Sequence, residues 1–351
     1  MSEKPGRRPS KAMTMTEKWV KPTPTPALLK LREAAAESYQ VDRSVAAQID
    51  PRDSLFMCGF WRSGTTWLQE ALTALLAAKL VFEPLYSGVP DLKAIYRRDA
   101  FLANRRQAFL RLYMPFCGEP ALDGHLLHGF IERALRSDVP GRWVRIYRRD
   151  LGESARMRVI VKCVRAQLCL RAVQNTFGMP VIHIYRDPRA IAASAEMTTW
   201  KKQFEPLSLQ RQLLQPDDGR ADFFGQWRDE IMRYDEQGLA SRLAAYWALT
   251  EKFVQHSYAD GHSRIVFVSY EELCRRREEV VSEMLQKLGL APVAGHDSQV
   301  LDTDSSTTSD QRRGASVAER LGGWKQTLST TEIASIESIA EHFGFEDRLT
   351  S

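Results

Sequence analysis

No apolar run in this 351-residue chain approaches the about 20 residues needed to cross a bilayer, which argues against a membrane span. Cysteine is scarce. There are five, with no Cys-x-x-Cys pair, so neither a disulfide framework nor a zinc site is expected. Cys58 and Cys163 fall in apolar strand-like runs and read as buried small hydrophobes. The chain also lacks an internal repeat, a heptad run and a strong charge of one sign. Its 49 Lys and Arg against 44 Asp and Glu leave a formal charge of +5. That balance suits an anionic small ligand better than a nucleic acid. Lys and Arg near the N-terminus are not followed by an apolar stretch, so no signal peptide is expected, and the cytoplasm is the expected location.

What is present is ordinary for a globular protein: 44% hydrophobic and 26% charged residues. A chain of this length can bury a core without staples. Length alone permits one large domain or two small ones. Residues 1–26 are rich in Lys, Arg, Pro, Ser and Thr and read as a disordered tail. Residues 27–47 have helical propensity and read as one packing helix. No domain boundary shows after residue 50, so the expected organisation is a tail over 1–26 and a single α/β domain over 27–351.

The chain is organised around Leu55-Phe56-Met57-Cys58-Gly59-Phe60-Trp61-Arg62-Ser63-Gly64-Thr65-Thr66-Trp67-Leu68. An apolar run of strand length meets a glycine-bounded turn, which opens into a helix with apolar Leu68, Leu72, Leu75 and Leu76. Such a turn aims backbone N–H groups and a positive helix end at one point, which suits a tetrahedral anion. The spacing from Gly59 to Gly64 is close to a nucleotide P-loop, but Thr65 stands where that motif places its lysine. Arg62 is the only cation in the loop, and no acidic cluster lies nearby to hold a metal. A small-molecule kinase would need both that lysine and a magnesium-holding group.

A β-α-β run follows. Residues 158–165 read as a buried strand ending in Lys162 and Arg165, 168–177 as a helix, and 181–185 as the next strand, ahead of Arg186. Together with the first loop they predict a parallel sheet flanked by helices, with a ligand beyond the C-terminal strand ends. Lys162, Arg165, Arg186 and Arg62 all fall at such ends. Glu83 interrupts the apolar run Leu80-Val81-Phe82-Glu83-Pro84-Leu85, where an unpartnered carboxylate would be costly. It is either a working group or a paired or exposed carboxylate at a strand end. Its setting is expected to be apolar, raising its pKa, and Pro84 is expected to hold its backbone extended. Arg97, Arg98, Arg105, Arg106 and Arg111 read as a solvated helix face, with a few members facing a pocket. Trp200, Trp227 and Trp247 read as packing anchors.

Phe60-Trp61-Arg62-Ser63-Gly64-Thr65-Thr66-Trp67 resembles the 5′-phosphosulfate loop of the sulfotransferases that use 3′-phosphoadenosine 5′-phosphosulfate (PAPS). Val181-Ile182-His183-Ile184-Tyr185-Arg186-Asp187-Pro188-Arg189-Ala190-Ile191-Ala192-Ala193-Ser194 resembles that family's 3′-phosphate strand and helix. The likeness extends over about residues 50–345 and implies a P-loop-like α/β sulfotransferase domain that needs no metal. It implies that N–H groups of Ser63, Gly64, Thr65 and Thr66 hold the phosphosulfate and that Arg62 acts on the transferring group. Arg186 and Ser194 would bind the 3′-phosphate, Trp67 would either stack on adenine or pack in the core, and Tyr270 would lie near the adenine. Phe82-Glu83-Pro84 resembles the carbohydrate branch, in which this glutamate is the proposed base; His125 and His128 are rival bases. Arg312-Arg313-Gly314 and Gly323-Trp324-Lys325 resemble a C-terminal donor-binding signature, at a longer spacing than in the cytosolic branch. The implied acceptor is a small-molecule hydroxyl on a sugar, lipid or natural product. A membrane anchor, as in the Golgi branch, is not expected. A non-catalytic nucleotide-binding module is the remaining alternative, and it would have no use for Glu83.

Overall fold

Leu55–Gly59 (β1) is apolar on both alternating faces, as a strand at the centre of a parallel sheet must be. The computed structural model describes residues 43–146, 157–197, 200–261, 264–293, 298–305, 308 and 313–349, all within one unit spanning 39–351. The expected tail over 1–26 lies outside the described residues, as does the packing helix apart from Arg43–Gln48, which is helical. β1 is central in a five-stranded, wholly parallel sheet with Lys79–Phe82 (β2), Val159–Lys162 (β3), Val181–Tyr185 (β4) and Ile265–Ser269 (β5). The spatial order is β2-β3-β1-β4-β5. Register pairs Met57 with Lys162 on one side and Gly59 with Ile184 on the other. The expected α/β class with a central parallel sheet is what the chain forms.

Strand alternation sorts the core into two layers. Leu55, Met57, Ile160, Ile182 and Ile184 face Leu68, Leu72 and Leu75 of Thr65–Leu75 (α1) and Leu285 and Leu288 of Arg277–Leu288. Phe56, Cys58, Val159, Val161 and Val181 face the opposite way, against Leu170 and Val173 of Leu170–Phe177 (α2). A third cluster joins Pro188–Glu196 (α3), the long helix Leu239–Ser257 (α4) and the C-terminal helix Thr330–His342. Trp247 of α4 is 1% exposed and anchors it, while Trp200 and Trp227 pack only partly buried at its margin.

The strand expected over 158–165 is shorter than its apolar run. It ends at Lys162, and the chain tightens into a 3-10 turn over Val164–Cys169. That turn swings Arg165 back toward the strand ends instead of carrying it onward.

Candidate active site

Every strand delivers a side chain to one cavity at its C-terminal end. The cavity measures about 540 Å³, within the about 300–1,000 Å³ usual for small-molecule sites. β1 supplies Trp61, Arg62 and Gly64 to Trp67; β2 supplies Phe82 and Glu83; β3 supplies Lys162, Val164 and Arg165. β4 supplies Arg186, followed by Ser194 on α3, and β5 leads into Tyr270, Leu273 and Cys274. The four cations expected at strand ends therefore do converge.

The loop after β1 is shaped by close approaches. A Cβ on Gly59 would lie 2.3 Å from the carbonyl oxygen of Ile184, so only glycine lets β1 and β4 stay paired there. Gly64 has φ 84° and precedes α1 with no side-chain cap. The first N–H groups of α1, from Thr65 onward, therefore have no intrahelical acceptor and open at the cavity. The ring of Tyr270 packs over Gly64, where a Cβ would meet its Cδ2 at 2.4 Å. The Arg186 guanidinium lies over the same ring, 4.1 Å from its centroid. Gly64→Ala is expected to lower the melting temperature and weaken nucleotide binding together, since left-handed strain alone costs roughly 1–3 kcal/mol. Calorimetry and titration with 3′-phosphoadenosine 5′-phosphate (PAP) check it; a variant matching the parent in both contradicts this packing.

Arg62 and the second motif meet directly. Arg62, itself at φ 68°, donates from Nε to Ser194 Oγ at 2.9 Å. Its carbonyl accepts from Arg186 Nη1 at 2.7 Å. Arg186 is only 7% exposed, yet it forms no ion pair with a described carboxylate, and its Nε has no hydrogen-bond partner. Glu271 feels its charge without pairing to it, and a buried cation with no ion pair on a cavity wall is a site an anion completes.

Glu83 differs from expectation in two ways. Its backbone has φ 45°, in the left-handed region, where Pro84 was expected to hold it extended. The reason is the turn that follows: Tyr86 N–H bonds back to Glu83 O, while Glu83 N–H bonds to Lys162 O. Its surroundings are also not apolar. Oε1 accepts from Lys162 Nζ at 2.5 Å and from Val164 N–H at 3.2 Å, and Oε2 accepts from Arg165 Nη1 at 2.8 Å. Sequence could not show this, because the cations come from the end of β3 and the turn after it, 79 and 82 residues away.

Other expected residues divide. Thr65, Thr66 and Trp67 border the cavity; Trp67 donates from Nε1 to Thr303 O at 3.0 Å and carries Arg277 over its ring at 5.4 Å. Ser63 is wholly buried off the cavity wall, and its N–H donates to Phe60 O. Arg312 lies outside the described residues. Arg313 and Gly314 are exposed and do not border the cavity; Gly314 N–H instead bonds Asp304. Arg320, six residues after Gly314, takes a place on the wall and pairs with Asp304 at 2.6 Å. Arg277, Arg320, Trp143 and Trp200 are lining residues that no local motif announced.

His125 and His128 are not at this site. His125 is held by the backbone of Phe116 and Leu127, with burial pulling its pKa down, and His128 stacks on Phe177. Arg97, Arg98, Arg105, Arg106 and Arg111 are all exposed, and none borders the cavity. Among the described residues no group of His, Cys, Asp and Glu is arranged to hold a metal, and no helix is long and apolar enough to cross a membrane.

A parallel sheet opening through a glycine-bounded loop onto an uncapped helix, with basic strand ends around one cavity, defines a P-loop-like α/β protein. Residues 52–337 match the model of the sulfotransferase domain, and the chain belongs to that family. Structures similar to it include the sulfotransferase domain from the curacin biosynthetic pathway, at 15% identity over 84% of this chain and 98% of that one, TM-score 0.40. Sulfotransferase STF1 from Mycobacterium tuberculosis H37Rv is 14% identical over 84% of this chain and 81% of its own, TM-score 0.42. Mouse sulfotransferase SULT7A1, solved with PAP, is 12% identical over 87% and 89%, TM-score 0.41. No curated protein sequence matches the chain.

Proposed function

We propose that the chain moves a sulfuryl group from PAPS to the hydroxyl of a sugar, lipid or natural-product alcohol, with Glu83 as the base. The observation that carries the donor is Arg186, a buried cavity-wall guanidinium with no carboxylate partner among the described residues. It lies beside Ser194 and the uncapped N-terminus of α1, so the residues present fit a ligand bearing two anionic groups. PAPS, when bound, supplies an activated sulfuryl group with a phosphate leaving group. The α1 N–H groups and Arg62 would hold the 5′-phosphosulfate end, and Arg186 with Ser194 the 3′-phosphate. Tyr270, Trp67, Arg277 and Arg320 border the rest of the donor end. Arginine at position 62 keeps its charge throughout and acts only electrostatically.

Glu83 borders the same cavity, as do Trp61, Phe82 and Trp143. Its two fixed oxygens suit it to take the proton of an acceptor hydroxyl placed there. The Phe82-Glu83-Pro84 motif supports an aliphatic or sugar alcohol over a phenol.

PAP and PAPS are expected to bind without magnesium, measured by thermal shift and titration. Arg186→Ala and Ser194→Ala each weaken PAP binding by roughly 1.5–3 kcal/mol, the worth of a charge-assisted hydrogen bond. Adenosine 5′-phosphosulfate, lacking the 3′-phosphate, binds correspondingly less well; equal affinity would sink the assignment. ATP binding that requires magnesium would instead favour a kinase. Labelled transfer to a panel of sugar, lipid and polyketide alcohols identifies the acceptor.

A further inference from the structure

Glu83 has a second buried cation at its side whose contacts run in two directions. Arg165 is 4% exposed. Its Nη1 donates to Glu83 Oε2 at 2.8 Å, and its Nε donates to the carbonyl of Arg111 at 3.0 Å. The guanidinium also lies over the rings of Trp61 at 5.8 Å and Tyr86 at 5.2 Å. A planar fork bonded on two sides and stacked against rings has little freedom, so the carboxylate oxygen it meets is held in one plane. Lysine at this position could make a point contact but not both bonds.

We propose that Arg165 is a positioning residue for Glu83: it aims the carboxylate and, through its bond to the Arg111 carbonyl, ties that aim to the segment around 105–113. The proposal rests on Glu83 acting as the base. The charged and titratable groups facing Glu83 come from three places. Lys162 ends β3, and Arg165 lies in the turn after it. The thiols of Cys58 on β1 and Cys163 just after β3 feel the carboxylate's charge, but burial, the larger cause, pushes both up and keeps them neutral. Arg165 in turn faces the phenols of Tyr96 and Tyr246, also pushed up by burial. Among the described residues Lys162 and Arg165 are the two cations paired with Glu83, and Lys162 remains when Arg165 is replaced.

The test uses the full chain and follows PAP release from PAPS with water as the acceptor. There the water oxygen bonds to sulfur as the sulfur–oxygen bond to the 5′-phosphate breaks, and the proton passes to Glu83. Arg165→Met is expected to lower kcat roughly a hundredfold, the cost of a small misplacement of a reacting group, with KM for PAPS and PAP affinity nearly unchanged. Arg165→Lys, which keeps the charge but not the fork, restores only part of that rate. In the Glu83→Gln background Arg165→Met costs nothing further, because no carboxylate is left to aim.

An unchanged kcat in Arg165→Met, or an equal further loss in the Glu83→Gln background, overturns the proposal. Should Arg165→Met fail to bind PAP, Arg165→Gln, which keeps a hydrogen bond to Arg111 O within reach, replaces it. If neither binds PAP, Arg165 serves the fold alone and the proposal falls. A different outcome separates the base: Glu83→Gln releasing PAP at the parent rate removes Glu83 from that role, while PAP binding leaves the donor reading standing.

Discussion

Glu83→Gln is expected to lower turnover by about a hundredfold to ten-thousandfold, the usual contribution of a positioned general base, while PAP binding stays nearly unchanged. Glutamine keeps the size of the side chain and removes its basicity. The substitution also leaves Lys162 and Arg165 without the carboxylate that bridges them. Removing one partner from a buried ion pair costs about 3–5 kcal/mol of stability, so a fall in melting temperature accompanies the loss. PAP titration separates the two effects, because the donor residues lie on the loop after β1, on α3 and after β5. If Glu83→Gln keeps close to full turnover, the carboxylate only holds its two cations. The base would then be neither His125 nor His128, since both stand off the cavity wall.

The second large effect is expected from Arg62→Ala. Turnover should fall far more than donor affinity, because a charge aimed at the transferring group acts mainly in the transition state. Loss of one such preorganised donor typically costs on the order of a hundredfold to a thousandfold in kcat. Arg62 also donates to Ser194 Oγ and lies 5.8 Å from the Trp200 ring centroid. Alanine therefore also removes that bond to Ser194, and a modest change in PAP affinity is consistent with the role. Weakened PAPS binding with unchanged turnover at saturation would make Arg62 a clamp and nothing more.

The donor end shows how unevenly a site is written into a chain. Gly59, Arg62, Gly64 and Thr65 are contiguous, and their chemistry is local: a backbone turn, a helix start, one cation. Arg186 and Ser194 follow a strand in the same way. The likeness to sulfotransferases rested on such segments, and the match over residues 52–337 bears out the family. Ser63 looked equivalent to its neighbours, but whether an N–H faces a cavity depends on which bond the turn closes, and here it closes onto Phe60.

Glu83 marks the limit of local reasoning. A carboxylate in an apolar run signals a requirement for a partner, and composition cannot say where the partner is. The parallel pairing of β2 with β3, Phe82 against Lys162, brings the cations beside it. The same holds at the far wall. Arg277 reaches the cavity across the ring of Trp67, and Arg320 through its pair with Asp304, although the nearer signature residues Arg313 and Gly314 face outward.

By itself, then, the sequence determined the β-loop-α unit, the parallel sheet and the family, because each depends on residues adjacent in the chain and on the alternation of apolar positions. Tertiary structure alone decided the partners of Glu83, the place of Arg165 and the residues that close the donor end. Those contacts join strand ends and helices 79 or more residues apart for Glu83, and their geometry is set by register and by where a strand stops, which no local pattern encodes.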